Sequence, residues 1–479
     1  MKVLKFGGTS VADADAIRRV AAIVATEHQR ARGAGPVVVV SALGGVTDRL
    51  LEVASLARTG DAAAARRVVD AIGQRHLAVA DAIGSVEARA AARAEIEAEV
   101  AHLSSVAGAL AVTREVSPRS LDAVAAIGEI LSCRLVAALF ADAEIPAAAV
   151  DPRTLIVTDE HFTQAAPQPE PTRAHVDANL RPVVASARVA VTGGFVAATR
   201  AGVVTTLGRG GSDYSAAILG AAIDAAEIQI WTDVDGMLTA DPRVVADCRL
   251  VPFLSFAEAA ELAYFGAKVL HPKTIQPAAA RNIPVRILNT FRPEASGTLI
   301  ADNASVDAAS VTALACKKGI TVVTITSTGM LMAHGYMRRL FEIFERFRTS
   351  VDVVSTSEVS VSVTIDNVAH LDAIVAGLSA FAEVSVVGDL ALVAVVGDRY
   401  GTDPSAFTRV VRALEGIPLR LVSQADARRN VTLVIDEDDL SSAMGRLHAE
   451  FFGPRTVGPG FSPAEDTVGR GFSPAEQKS

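Results

Sequence analysis

Lys5-Phe6-Gly7-Gly8-Thr9-Ser10 sets a lysine, two consecutive glycines and a hydroxyl at the end of a short apolar run. Adjacent glycines let the backbone approach a ligand closely and bare its N–H groups, and Lys5 adds a point charge, a combination suited to phosphate. A helix start follows, which favours anions further. A lone glycine pair is equally the makings of a tight turn between strand and helix. The chain contains no Gly-Lys dipeptide, so the Walker arrangement GxxxxGK[ST] is absent.

A second loop strengthens the anion-binding reading. Thr205-Thr206-Leu207-Gly208-Arg209-Gly210-Gly211-Ser212-Asp213-Tyr214 carries three glycines, a guanidinium able to grip a carboxylate in bidentate fashion, and a carboxylate able to orient a cation. A third element, Thr232-Asp233-Val234-Asp235-Gly236-Met237-Leu238-Thr239-Ala240-Asp241-Pro242-Arg243, follows the expected strand Ile228-Gln229-Ile230-Trp231. It thus lies at a strand's C-terminal end, where open α/β sheets bind ligands, although Asp-Gly and Asp-Pro also build plain turns. In Phe265-Gly266-Ala267-Lys268-Val269-Leu270-His271-Pro272 a lysine follows Gly-Ala near a helix start, and it suits phosphate or simply solvent. His271 before a proline reads as a structural hydrogen-bonding residue more than as a general base.

The elements that must hold these loops alternate. Val3–Phe6 and the β-branched run Val37–Val40 read as strands, the second buried on both faces, and Ile17, Val20, Ala21 and Val24 recur at helical spacing after a cap at Asp13 or Asp15. Residues 62–112 read as Ala-, Arg- and Glu-rich helices, and 188–195, 227–232 and 284–288 as further core strands, with a closing turn at Ala295–Thr298. This rhythm indicates a doubly wound sheet. From about residue 312 the pattern becomes β-α-β-β-α twice over, as in paired ferredoxin-like modules of roughly 70 residues. The segment Thr456–Glu465 nearly repeats at Thr467–Glu476, and its Pro, Gly and Ser content cannot build a core, so a disordered tail is expected.

Composition excludes several classes. Length, 479 residues, predicts about three domains at roughly 150 residues each. A net charge of −9 and aromatics at 5% argue against nucleic-acid binding, which needs a basic face or stacking rings. Cys133, Cys248 and Cys316 have neither CxxC spacing nor nearby His partners, so they read as thiols in a reducing compartment, with no metal held by protein side chains. No signal sequence or membrane span is expected, and the reading is a cytoplasmic protein.

Taken together and in order, these motifs with Trp231-Thr232-Asp233-Val234 and Asp241-Pro242-Arg243 resemble the aspartokinase family, from residue 1 to about 452. The likeness is nearest to the single-function, lysine-inhibited type, through Thr349-Ser350-Val351-Asp352 and Thr356-Ser357-Glu358-Val359-Ser360. It implies an α/β fold: an amino-acid-kinase doubly wound sheet over 1–303, then two ferredoxin-like (ACT) α+β domains over 312–387 and 388–452, with 453–479 as the tail. It implies ATP-dependent phosphorylation of the β-carboxylate of L-aspartate, the first step of the lysine, threonine and methionine pathway, with Mg²⁺ bridging the phosphates. Lys5 and Asp213 would be catalytic. Lys5, Gly7, Gly8, Ser10, Thr232, Asp233, Leu238, Arg243 and Lys268 would contact ATP. Glu129 would receive the aspartate ammonium and Arg209 its α-carboxylate, with Ser41, Thr47, Phe195, Thr206 and Ser212 in the pocket.

Lysine would bind at Met330, Gly335, Tyr336, Met337, Val351, Asp352, Ser357 and Glu358, where ACT domains of a homo-oligomer (a dimer or dimer of dimers) pair. Departures from the family's pattern fall at Ala126, Gly193, Leu238 and Ala333. A kinase for another amino acid such as glutamate, and a catalytically silent amino-acid sensor, are the competing readings. The presence of Lys5, Asp213 and Lys268 weighs against the second.

Overall fold

The computed structural model describes residues 1–31, 34–266, 270, 272–302, 310–331, 333–424 and 429–453. Its first part is an eight-stranded sheet in the order Ala147–Val150, Val189–Gly193, Val37–Val40, Lys2–Phe6, Glu227–Thr232, Val285–Asn289, Thr298–Ile300, Phe253–Leu254. The first six strands run parallel, and Thr298–Ile300 turns antiparallel to Val285–Asn289. Val37–Val40 is fully buried, as a strand covered on both faces must be, and an apolar core lies on each side of the sheet. Parallel strands all point their C-terminal ends one way, so the loops after Lys2–Phe6 and Glu227–Thr232 emerge on a single edge, and the Gly208–Gly211 loop reaches that edge from a smaller sheet, after Val204–Thr206.

Local chemistry sets the helices. Asp13, not Asp15, caps Ala14–Arg30 by accepting from the Ala16 amide at 2.8 Å, while Asp15 sits in the first turn beside the helix's positive end. Ala62–Ala80 and Val86–Thr113 pack as the long helices the composition indicates. The stretch Pro118–Asp142 is long and apolar enough to cross a membrane, but 83% of its apolar window is buried inside the protein, which makes it a core helix. A small sheet of Val157–Thr158, Val196–Thr199 and Val204–Thr206, not foreseen from sequence, sits beside it.

The C-terminal part departs from the expected pair of separate modules. Its six strands form one antiparallel sheet, in the order Val354–Thr356, Ser360–Ile365, Ala313–Thr326, Glu383–Val396, Asn430–Asp436, Leu421–Ser423. The two central strands pair along their whole length, and Ala313–Lys317 lies against Leu392–Val396, inside the second module. A boundary at 387/388 therefore falls within an unbroken strand. Gly388-Asp389, at the expected start of the second module, interrupts an apolar run. Asp389 takes φ 55°, and a register shift between Ile320 and Val322 absorbs the irregularity as a bulge, so the strand continues. The repeated tail, residues 454–479, lies outside the described residues.

Alternation along Glu383–Val396 ties the two parts together. Leu390, Leu392, Ala394 and Val396 face the core shared with the eight-stranded sheet, and Ala391, Val393 and Val395 face the core under Ala406–Ala413 and Leu440–Phe452. Polar bonds reinforce the junction. Glu258 accepts from the Thr312 hydroxyl at 2.6 Å and the Asp398 amide at 2.9 Å, and the Thr239 hydroxyl meets His448 Nε2 at 2.9 Å.

Candidate functional site

Five loops converge at the C-terminal edge of the sheet. The ladder runs on past the strand ends: the Ser41 amide donates to the Phe6 carbonyl at 3.1 Å, Gly194 to Val40 at 2.8 Å, and Thr290 to Thr232 at 2.8 Å. Gly8 meets the next loop backbone to backbone, because a Cβ there would sit 3.1 Å from the Ala42 carbonyl oxygen and 3.4 Å from the Gly44 Cα. The Ser10 hydroxyl is not free at the loop tip; it is buried and bonded to the Thr290 hydroxyl at 2.8 Å, which fixes the end of the loop to the strand Val285–Asn289.

Lys5 is the central cation. It is only 9% exposed, and its Nζ lies 2.6 Å from Asp213 Oδ1. Asp213 belongs to the first turn of Gly211–Ala222, a twelve-residue helix whose N-terminus has no side-chain cap; its first amide, of Gly211, donates to the Gly208 carbonyl at 3.0 Å, and the positive end of the helix lies beside Lys5. Ser212 in the same turn accepts from the Ser41 hydroxyl at 3.0 Å, which links this turn to the loop after Val37–Val40. Gly194 permits this approach: a Cβ there would lie 2.7 Å from Ser212 Cβ. Next to it Phe195 takes φ 62°, a conformation that costs a residue with a side chain about 1–2 kcal/mol. The Phe195 amide donates to Ser215 at 2.9 Å, and its carbonyl accepts from Leu207 at 3.0 Å.

Arg209 is exposed and has no ion-pair partner among the described residues. Thr206, three residues earlier, is buried and held by Asp122, a residue that sequence reading passed over. Thr47 stands half-buried in the first turn of Val46–Thr59. Glu129 lies in Ile127–Asp142 and is 3% exposed, with Oε2 buried and unpartnered. Burial pushes its carboxyl up to about 8, against bonds from the backbone that favour the charged form. Gly193 presses on it, since a Cβ there would sit 3.0 Å from Glu129 Cβ.

A second cluster surrounds the loop after Glu227–Thr232. Asp233 is exposed and accepts from the Thr232 hydroxyl at 3.2 Å. Leu238 and Arg243 line a cavity of about 210 Å³ together with Leu262, Leu314 and Cys316, so its wall comes from both the kinase sheet and the regulatory strand Ala313–Thr326. The Arg243 guanidinium is folded back on Asp241, with Nε 2.9 Å from Oδ1, and must turn to reach a ligand. Lys268 and His271 lie outside the described residues. Among the described residues no three His, Cys, Asp or Glu side chains converge as a metal cage.

The expected effector positions are not assembled in one place. Met330, Tyr336, Met337 and Val351 pack at the edge of the first regulatory core, and Gly335 (φ 80°) starts the helix Tyr336–Arg346. Asp352 is already engaged, taking Tyr264 Oη at 2.8 Å and Lys317 Nζ at 3.0 Å, while Lys317 also reaches Asp366 at 2.6 Å. Ser357 and Glu358 stand exposed at the hairpin tip between Val354–Thr356 and Ser360–Ile365. Five extended residues, roughly 15 Å, separate them from Asp352, too far for one small amino acid to span within a single chain.

Sequence signals for the missed residues were slight. Asp122 precedes Glu129 by seven residues on contiguous helices and so shares its face. Thr290, Tyr264 and Lys317 carry no pattern of their own.

Residues 1–289 match the amino acid kinase family and residues 393–451 the ACT domain. The chain is 34% identical over 458 residues to the lysine-sensitive aspartokinase 3 of Escherichia coli strain K12, covering 94% of this chain and 99% of that protein. It is 35% identical over 475 residues to the chloroplastic aspartokinase 3 of Arabidopsis thaliana, covering 94% and 81%. Among solved structures, that of E. coli aspartokinase III in complex with aspartate and ADP (R-state) superposes with a TM-score of 0.81 at 33% identity, covering 94% of this chain and all of that one. The same enzyme with lysine and aspartate (T-state) gives 0.78 at 33% identity, covering 94% and 99%.

Proposed function

We infer, for a chain that belongs to the amino-acid kinase family and within it to the aspartokinases, that the loop-lined edge of the sheet binds ATP and L-aspartate side by side and transfers the γ-phosphoryl group to the β-carboxylate. The observation that carries this reading is the Lys5–Asp213 pair at 2.6 Å beneath an uncapped helix N-terminus, with unpaired Arg209 at the rim. A β-carboxylate oxygen attacks the γ-phosphorus, the bond to the ADP oxygen breaks, and 4-phospho-L-aspartate and ADP leave. The nucleophile is already ionised at neutral pH, so positioning and charge neutralisation do the work. Lys5, kept in place by Asp213, lies between the two anions. The Gly7-Gly8 amides and Ser10 frame the phosphates, and Thr232, Asp233, Leu238, Arg243 and Lys268 take the remainder of the nucleotide. Mg²⁺ arrives chelated by the ATP phosphates, as part of the substrate.

Aspartate lies between Glu129 for its ammonium and Arg209 for its α-carboxylate, with Ser41, Thr47, Phe195, Thr206 and Ser212 around it. A hydroxamate assay with aspartate and ATP, repeated with glutamate as acceptor, tests the assignment. Product from glutamate at comparable kcat/KM would overturn it.

Lysine is the proposed effector. The E. coli relative is named lysine-sensitive, and one of its structures contains lysine. The distance between Asp352 and Glu358 suits a site shared by two copies paired through the regulatory sheet, where Val354, Val359, Val386, Val387 and Val422 stand exposed. Asp352 also supplies a route inward. It holds Tyr264 at the end of the helix Phe256–Tyr264, and Gly266, two residues on, rests against the Cys316 carbonyl. An effector ammonium taking Asp352 from Lys317 would loosen Tyr264 and, through it, the contact of Gly266 with Cys316. Lysine titration of steady-state activity tests this, and no response up to millimolar lysine would sink it.

A further inference from the structure

We propose that Asp122 is a positioning residue for aspartate, its buried carboxylate fixing the loop that carries Arg209. Asp122 sits in Pro118–Ala125 and is 1% exposed. Its Oδ2 accepts from the Thr163 amide at 2.8 Å and the Thr206 amide at 3.0 Å, and its Oδ1 accepts from the Thr206 hydroxyl at 2.6 Å. No Lys, Arg or His pairs with it among the described residues, and burial raises its pKa despite these three donors. A buried carboxylate without a cation costs stability, yet here one group joins two separate loops at a single point.

Both loops are in conformations that need a tether. Thr163, a β-branched residue, takes φ 72°, and its amide is one of the three donors. Thr206 ends the strand Val204–Thr206, and its carbonyl accepts from the Ala165 amide at 3.0 Å, so all three of its polar groups are tied to Asp122 or to the Thr163 loop. Gly208 then passes the Thr163 carbonyl so closely that a Cβ would stand 3.1 Å from its oxygen. Arg209 follows with no side-chain partner among the described residues, so the backbone between Thr206 and Gly210 sets where its guanidinium goes. Asp122 therefore acts through Arg209 and does not touch substrate itself. The inference rests on the reading of Arg209 as the α-carboxylate clamp.

Steady-state kinetics of Asp122→Asn, Asp122→Ala, Arg209→Ala and the Asp122→Ala/Arg209→Ala double variant test it. Misplacing the clamp in Asp122→Ala raises the aspartate KM about tenfold or more, while the ATP KM stays within about twofold. Asp122→Asn keeps the size and one acceptor oxygen, gives a smaller rise of the same kind, and carries the test if Asp122→Ala does not fold. In the double variant the Asp122 change adds nothing to the aspartate KM, because the group it positions is gone. A purely structural residue would raise both KM values together, or add its full effect in the Arg209→Ala background, and either result overturns the proposal. An unchanged aspartate KM in Arg209→Ala overturns the clamp reading. A raised KM there with none in either Asp122 variant overturns the positioning role alone.

Discussion

Aspartate capture should release a proton. Glu129 is buried with an unpartnered Oε2, and its carboxyl titrates at about 8 when no ligand is present. At pH 7 such a group is ionised in roughly one molecule in ten, and each pH unit below its pKa costs about 1.4 kcal/mol when the ionised form must be used. An aspartate ammonium placed against Glu129 requires that ionised form. The free-energy cost to binding is thus about 1.4 kcal/mol at pH 7 and about 2.7 kcal/mol at pH 6. The substrate's own carboxylates keep their charge throughout this window.

The logarithm of kcat/KM for aspartate should therefore climb with a slope near one from about pH 6 and level off above about pH 8. Calorimetry of aspartate binding at pH 7, in two buffers of different ionisation enthalpy, should count about 0.9 proton released per site. Titration of a nucleotide phosphate would tilt the ATP profile as well, so the ATP KM measured over the same range separates the two. Stability follows the opposite sign. A carboxyl raised from 4.5 to about 8 stabilises the empty protein fully below pH 4.5 and loses that contribution as pH rises through about 8. Glu129→Gln should flatten this loss while abolishing tight aspartate binding. Flat aspartate kinetics with no proton release would refute the reasoning.

Other expectations are as direct. Lys5→Met removes the cation between the two anions and should cut kcat by about 10²–10³-fold, with far-ultraviolet circular dichroism unchanged; near wild-type turnover would count against Lys5 at the transferring phosphate. Gly194→Ala drives a methyl into Ser212, 2.7 Å away, and overpacking of about 1–3 kcal/mol should raise the aspartate KM and lower the melting temperature together. Lys317→Gln frees Asp352 from its internal cation and should lower the lysine concentration that half-inhibits, with uninhibited turnover unchanged. An unaltered inhibition curve would mean that lysine does not compete for Asp352.

Much of the kinase fold was legible because its signals are local. Val37–Val40 is an unbroken apolar run ended by Ser-Ala, and Glu227–Thr232 carries Ile228, Ile230 and Trp231 before Asp233; both strands fall where those signals lie. The loops of the site were legible for the same reason, since glycines with charges at strand ends have few other uses. Asp122 was not, because one aspartate in an Ala-rich helix has no periodic signature and its partners lie 41 and 84 residues away. The single regulatory sheet was hidden by Gly388-Asp389, whose composition is that of a turn and whose role here is a bulge. Lys317 lies on an exposed-looking Lys-Lys pair, and only the fold brings it to Asp352.

The central claim is that Arg209, unpaired at the edge of the sheet, holds aspartate beside ATP poised over Lys5. Steady-state kinetics of Arg209→Ala with both substrates varied test it most directly. Loss of a bidentate charged contact of about 2–3 kcal/mol should raise the aspartate KM roughly a hundredfold and leave the ATP KM within about twofold. An aspartate KM close to that of the unaltered enzyme would contradict the account.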